Sequence, residues 1–169
     1  PHQQNECLAF IVDRLESLLR EQGYAYDVVA AVLAEQGHIP ARAVKAVQQL
    51  AAWVARPEWR TILPAYARCV RITRDQNNRF TLNNELFSQS AEKELAAKLQ
   101  EARSQSRSPG NVDDFFKVFN PLIPAINRFF DEVMVMVEDV PIRQNRLALL
   151  QGIVSLADGV ADFSRLEGF

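Results

Sequence analysis

Apolar side chains recur every three or four positions along almost the whole chain, and short polar, glycine- or proline-bearing breaks interrupt them. That period predicts helices. A first helix is expected from about Asn5, a good N-cap, to Gln22, with Leu8, Ile11, Leu15, Leu18 and Leu19 facing inward and Gly23 just past its end. Asp27 can cap a second, carrying Val28, Val29, Val32 and Leu33 and ending at Gly37. Pro40 suits the first turn of a third, with Val44, Val47, Leu50, Ala51 and Val54 inside. Pro57 opens a fourth to about Asp75, burying Trp59, Ile62, Leu63, Tyr66, Cys69 and Val70. Residues 75–84 are polar and read as a mobile loop. A fifth helix, 90–104, has a thin stripe (Leu95, Leu99, Ala102) and is expected to be peripheral. After the turn Ser108-Pro109-Gly110-Asn111 come residues 112–119, a segment from Asn120-Pro121 to about Val137, and a long helix capped by Asp139 that reaches about Leu166. Strict alternation is missing except in the ambiguous run 133–137. The expected architecture is all-α: a helical bundle of about six to eight helices with short connections.

Length fits a single domain over 1–169, with a peripheral helical subregion at 80–110. The first residue is Pro1, not methionine, so a fragment of a longer chain is expected. No apolar stretch approaches the ~20 residues that cross a bilayer, and no membrane partner is expected. Cys7 and Cys69 lie far apart with no metal-ligand pattern around them, and read as small buried hydrophobes in a reducing cytoplasm rather than a disulfide. Net charge is −2 but unevenly placed. Residues 1–37 hold two basic and six acidic side chains, whereas residues 38–79 hold eight basic and two acidic. A basic block in an otherwise acidic chain points to a polyanionic partner for one face.

Six segments in order carry a family resemblance: Gly23-Tyr24-Ala25-Tyr26-Asp27-Val28-Val29-Ala30-Ala31-Val32-Leu33, Ser90-Ala91-Glu92-Lys93-Glu94-Leu95, Val112-Asp113-Asp114-Phe115-Phe116, Phe129-Phe130-Asp131-Glu132-Val133-Met134-Val135-Met136, the Arg-x-Asn-Arg-Leu-Ala-Leu-Leu run at 143–150, and Ala-Asp-Phe-Ser-Arg-Leu at 161–166. Together they resemble the C-terminal region of the β subunit of bacterial, heterotetrameric glycyl-tRNA synthetase. That region is similar to the DALR-type anticodon-binding domain, an α-helical bundle. The tetrapeptide Asp-Ala-Leu-Arg itself is absent; the third helix reads Ile39-Pro40-Ala41-Arg42-Ala43-Val44-Lys45. The resemblance implies that the chain binds tRNA-Gly and partners an α subunit. It also implies that aminoacylation, with its ATP and Mg, belongs to that α subunit, so no cofactor and no catalytic residue are expected here.

The candidate tRNA contacts follow from the basic block. At 100° per residue, Arg60, Arg68, Arg71 and Arg74 fall opposite Ile62, Tyr66, Cys69 and Thr73 on the fourth helix. Arginine's planar fork meets phosphate oxygens bidentately, so this is a phosphate-tracking stripe or, more blandly, a solvated face. Arg42 and Lys45 begin the third helix, with Trp53 on the same side. Trp53 either stacks on an unpaired base, worth about 1–3 kcal/mol, or packs against Trp59. Arg143 is the better RNA candidate of the last helix. Arg146 borders the apolar stripe and needs a carboxylate, with Asp131, Asp139 and Asp162 nearest by sequence and Asp131 the expected partner. Asn145 is expected to cap or bridge the turn at Asp139. The phenylalanines, Met134 and Met136 read as core. Asp158 and Asp162, one turn apart on a helix, offer a carboxylate pair but no third ligand, and His2 and His38 are isolated, so no metal site is expected. The competing reading is a helical protein-interaction module that docks a partner subunit; an arginyl-type version of the same domain is a third.

Overall fold

The protein is described by a computed structural model of residues 2–169, with side chains from residue 6 onward. Every regular element among the described residues is helical: α1 (His2–Glu21), α2 (Tyr26–Gln36), α3 (Pro40–Val54), α4 (Trp59–Thr73), α5 (Ser90–Ser104), α6 (Val112–Phe119), α7 (Ile123–Glu132) and α8 (Val140–Val154). Single 3-10 turns lie at Asn84–Leu86, Asn120–Leu122, Ser155–Ala157 and Phe163–Arg165. The chain condenses into two compact units. One holds residues up to Trp59, Arg107–Phe115 and Ala157–Phe169; the other holds Arg60–Ser106 and Phe116–Leu156.

In the first unit α2 is central. It packs against α1, α3 and the 3-10 turn at Phe163–Arg165, and buries Val28, Val29, Ala31 and Val32. Phe115 and Phe163 meet at 5.0 Å between ring centres. Gly23, at φ +93°, ends α1 in the left-handed region that favours glycine. The expected cap Asp27 lies inside the first turn of α2; Ala25 holds the cap position, and the Asp27 carboxylate accepts the Glu167 N–H instead at 2.8 Å. Helix α1 already runs at His2, and the side chain of its expected cap, Asn5, lies outside the described residues. Of its expected inner stripe only Leu15 and Leu19 are buried; Leu8, Ile11 and Leu18 are exposed, as are Phe10 and Cys7.

A buried amide knits this unit. Gln36 is wholly buried; its Nε2 donates to the carbonyls of Gly110 (2.9 Å) and Val160 (2.7 Å), while its Oε1 accepts from Arg42 Nε (2.8 Å). Gly110 sits at φ +71°, and a Cβ there would collide with Gln36 Oε1 and stand 2.7 Å from Arg42 Nε. Left-handed strain of ~1–2 kcal/mol and overpacking of ~1–3 kcal/mol then act together. Gly110→Ala is expected to lower the unfolding free energy by about 2–4 kcal/mol. Urea denaturation at unchanged m-value reads this out, and a neutral substitution would contradict the packing.

In the second unit α8 is enclosed on nearly every side, burying Asn145 through Leu150 together with Gly152 and Ile153. Helix α5 packs against α7 and α8 with Leu95 and Leu99 fully buried, a deeper seat than its thin stripe predicts. Tyr66 and Phe119 pack edge-on at 5.7 Å. Burial pushes the Cys69 thiol up to about 12, against the opposing influence of Arg68. Helix α7 stops at Glu132, short of Val137, and residues 133–139 are non-helical. There Val133 and Val135 are buried whereas Met134 and Met136, expected in the core, point to solvent at 72% and 54% exposure. The last helix stops at Val154, not Leu166. The Ser155 hydroxyl donates back to the Gly152 carbonyl at 2.8 Å, a competitor for the helical ladder. Asp158 and Asp162 therefore do not share a helical face; Asp162 caps the turn at Phe163–Arg165.

Candidate nucleic-acid interface

Helix α4 buries Ile62, Leu63, Ala65, Tyr66, Ala67, Cys69 and Thr73. Arg60, Arg71 and Arg74 are left exposed along one edge, with Pro64 between them. Pro64 has no N–H to offer the Arg60 carbonyl, so this edge carries an interrupted helical ladder on its wet side. Arg74 Nε lies 3.8 Å from the Asp75 carboxylate, both side chains well exposed, an arrangement worth ~0–1 kcal/mol. Arg68 departs from the stripe. It is half-buried, and its guanidinium lies 4.4 Å from the centre of the Phe130 ring, a cation–π contact that directs it across the helix.

Arg143 is half-buried and donates to the Val137 carbonyl at 2.8 Å. Arg146 is 4% exposed, and its carboxylate partner is Glu92 at 2.6 Å, not Asp131, which is exposed at the end of α7. Its second contact is the Met134 carbonyl at 2.8 Å. The two arginines of α8 thus hold the non-helical segment 133–139 from beneath. Glu92 is saturated: its other oxygen accepts the N–H groups of Gln89 (2.8 Å) and Ser88 (3.0 Å) at the start of α5. Burial alone would push the Glu92 carboxyl up, but the Arg146 hydrogen bond and charge, with those two N–H groups, bring it below the usual glutamate range.

Asn145 does not serve the Asp139 turn; Asp139 caps α8 through its own carboxylate on the Ile142 N–H. Asn145 instead reaches the loop before α5, accepting from Asn83 N–H (2.7 Å) and donating to the Asn83 carbonyl (2.9 Å). Gln151 does the same farther along, donating to the Asn78 carbonyl (2.8 Å) and accepting the Phe80 N–H (3.0 Å). The loop expected to be mobile is pinned at three residues.

In the first unit, Lys45 is exposed and Arg42 is half-buried against Gln36. Trp53 Nε1 donates to Asp113 Oδ1 at 2.8 Å, and the Arg56 guanidinium covers its ring at 3.7 Å. Gln49 braces the same corner, donating to Asp113 Oδ2 (2.9 Å) and accepting the Val112 N–H (3.0 Å). The arginine on the indole is thus Arg56, three residues along α3's end, a neighbour that i,i+3 spacing would have suggested. Gln36, Glu92 and Gln151 escaped the sequence reading because a lone polar residue at a core position looks like any surface polar residue until its distant partner is known. Among the described residues no cluster of His, Cys, Asp or Glu could hold a metal ion, and no helix is long and apolar enough to cross a membrane.

The sequence model of the DALR anticodon binding domain matches residues 62–160, more than half of the chain. The chain belongs to the DALR anticodon-binding domain family. The match takes in most of α4 and runs past the end of α8, so Arg68, Arg71, Arg74, Arg143 and Arg146 lie within it, while Arg42, Lys45, Trp53 and Arg60 precede it. The all-α expectation and the resemblance drawn from sequence agree with this. Among curated relatives, the chain is 37% identical to the glycine–tRNA ligase beta subunit of Moorella thermoacetica, over 96% of the chain and 24% of that protein. It is 34% identical to that of Desulfatibacillum aliphaticivorans, over 97% of the chain and 24% of the relative. It is also 33% identical to glycine–tRNA ligase, chloroplastic/mitochondrial 2, of Arabidopsis thaliana, over 95% of the chain and 15% of that protein. The DALR chain thus spans about a quarter or less of the length of these relatives.

Proposed function

We propose that this DALR domain binds the anticodon arm of tRNA-Gly as part of a glycine–tRNA ligase β subunit. Its contribution to aminoacylation is affinity and selection. Activation of glycine, with ATP and Mg, takes place on the α subunit of a cytoplasmic heterotetramer. The observation that carries this reading is the exposed Arg60, Arg71 and Arg74 edge of α4 in a chain of this family. In this reading the edge tracks phosphates, Arg68 and Arg143 are further candidate contacts of the second unit, and Arg42, Lys45 and Trp53 are candidate contacts of the first. Filter binding of tRNA-Gly across a salt series tests it. Log affinity is expected to fall linearly with log salt, by ~0.7–0.9 for each phosphate neutralised. Preference for tRNA-Arg over tRNA-Gly would discard the glycyl assignment, and salt-insensitive binding would discard the phosphate-tracking edge.

One observation favours a second role for the first unit. Helix α1 exposes Leu8, Phe10 (71%), Ile11 and Leu18, an apolar surface suited to a protein contact. Co-elution with the α subunit in the absence of tRNA would support it.

A further inference from the structure

Between the 3-10 turn Asn84–Leu86 and α5 lies a cavity of about 310 Å³, lined by Asn84, Phe87, Lys93, Ala96, Ala97 and Gln100. Lys93, Ala96, Ala97 and Gln100 fall on one helical stripe at i, i+3, i+4 and i+7. The two alanines leave the middle of that stripe without bulk, and the buried Phe87 forms an aromatic wall. Asn84, Lys93 and Gln100 are exposed, and their side chains make no hydrogen bond or ion pair among the described residues. No carboxylate lines the cavity; that of neighbouring Glu94 is held by Arg128. Both walls are set from beneath by α8. Asn145 bonds the Asn83 N–H and carbonyl, and the Asn83 side chain accepts the Glu85 N–H at 2.9 Å, which fixes the turn. Glu92, seated on Arg146, accepts the Ser88 and Gln89 N–H groups and fixes the start of α5.

A small-ligand site combines an apolar wall with a few converging polar groups, and here those groups are unpaired. A carboxamide carries two donors and an acceptor. That is the mixed pattern of a nucleobase edge, which asparagine and glutamine can meet bidentately. A flat base can lie over the alanines against Phe87, and the Lys93 ammonium can meet the phosphate joined to it. A cationic guest finds no acid in the lining to pair with. The volume equals that of about ten water molecules, room for a base and its ribose. We infer that this cavity takes one unpaired nucleobase, with Asn84 and Gln100 on its hydrogen-bonding edge and Lys93 on its phosphate, from an RNA chain or from a free nucleotide. It rests on the tRNA reading only for the first of these sources.

Two arms test it on the 169-residue chain, with Ala97→Leu, Gln100→Ala and Lys93→Gln. Ala97 is exposed and leucine is a strong helix former, so Ala97→Leu fills the cavity without entering the core. In the first arm, tRNA-Gly binding is measured across a salt series. Ala97→Leu and Gln100→Ala are each expected to weaken binding about tenfold at an unchanged log–log salt slope, because they remove base contacts and no charge. Lys93→Gln should reduce the slope by ~0.7–0.9. In the second arm, each of the four nucleoside monophosphates is titrated while the Gln100 Nε2–H resonances of the wild-type chain are followed, which requires no variant to fold. Saturable movement with at least one of them, lost in Ala97→Leu, identifies a free-nucleotide site; weakened tRNA binding in Ala97→Leu and Gln100→Ala without such movement identifies an RNA base. Unchanged tRNA affinity in these two variants together with motionless Gln100 resonances overturns the inference while wild-type tRNA binding persists, even if Lys93→Gln alters the slope. If the wild type binds no tRNA, the tRNA reading falls and the nucleotide titration alone decides the cavity.

Discussion

Glu92→Gln is expected to lower the unfolding free energy of this DALR domain by about 3–5 kcal/mol, the range seen when one partner of a buried ion pair is removed. Glu92 and Arg146 are both almost wholly buried, their side chains at 1% and 5% exposure. The carboxylate meets the Arg146 fork on one oxygen and the Ser88 and Gln89 N–H groups on the other. A glutamine at 92 can keep its carbonyl on those N–H groups only by turning its own NH₂ toward the guanidinium, donor against donor. Arg146 is then a buried charge that keeps the Met134 carbonyl but no carboxylate. Single domains are stable by ~5–15 kcal/mol, so this loss brings the domain near the unfolding threshold. Glu92→Leu with Arg146→Met should recover a large part of it, since no charge stays buried. The recovery is incomplete, because the N–H groups that open α5 lose their acceptor. Urea denaturation of the three variants checks the order, and a double variant less stable than either single would contradict it. The same pair sets an acid limit. The folded Glu92 carboxyl lies below its unfolded value of ~4.3. Its contribution is therefore fully present above that unfolded value and is lost as pH falls through the folded one. In Glu92→Gln the fall in melting temperature on acidification through that window should be shallower than in the wild type.

Reversing Arg60, Arg71 and Arg74 to Glu together is expected to reduce tRNA-Gly affinity by about 100-fold or more near 0.1 M salt and to flatten the log–log salt slope by about 2–3. All three lie on one exposed edge of α4, opposite the buried Ile62, Tyr66, Cys69 and Thr73, so the reversal swaps three attractive charges for three repulsive ones without entering the core. Arg68 is left out because its guanidinium sits on Phe130, where replacement removes packing as well as charge. The far-ultraviolet dichroism and melting temperature of the triple variant should stay close to wild type. Undiminished tRNA affinity in a folded triple variant would remove the edge from the RNA path.

Helix positions were legible because they rest on local chemistry. Gly23 ends α1, Pro40 opens α3, Asp139 caps α8, and the core phenylalanines Phe115, Phe116, Phe119, Phe129 and Phe163 recur at helical spacing. The opposition between the arginines and the apolar face of α4 follows from the same period. Helix ends were less secure where a remote partner intervenes. Asp27 has the chemistry of a cap, but it is taken by the Glu167 N–H, 140 residues away. The extended α8 expected to Leu166 fails at Ser155, where periodicity continues but the hydroxyl turns back on Gly152. Met134 and Met136 look like core by composition, yet residues 133–139 alternate, and the valines take the inward positions.

By itself, the order of residues determined that this chain is all helix, which side of α4 is charged, and which family it joins. These depend on patterns that repeat within a few turns or on segments recognised one after another. The tertiary structure alone decided that Arg146 pairs with Glu92, that Gln36 binds Gly110 and Val160, that Asn145 and Gln151 fasten a loop, and that Gly152 makes room for Arg103. The partners in these pairs stand roughly 50 to 120 residues apart, and a buried polar group takes whichever complement the packed backbone brings within reach. Local sequence states the need for a partner but not its address.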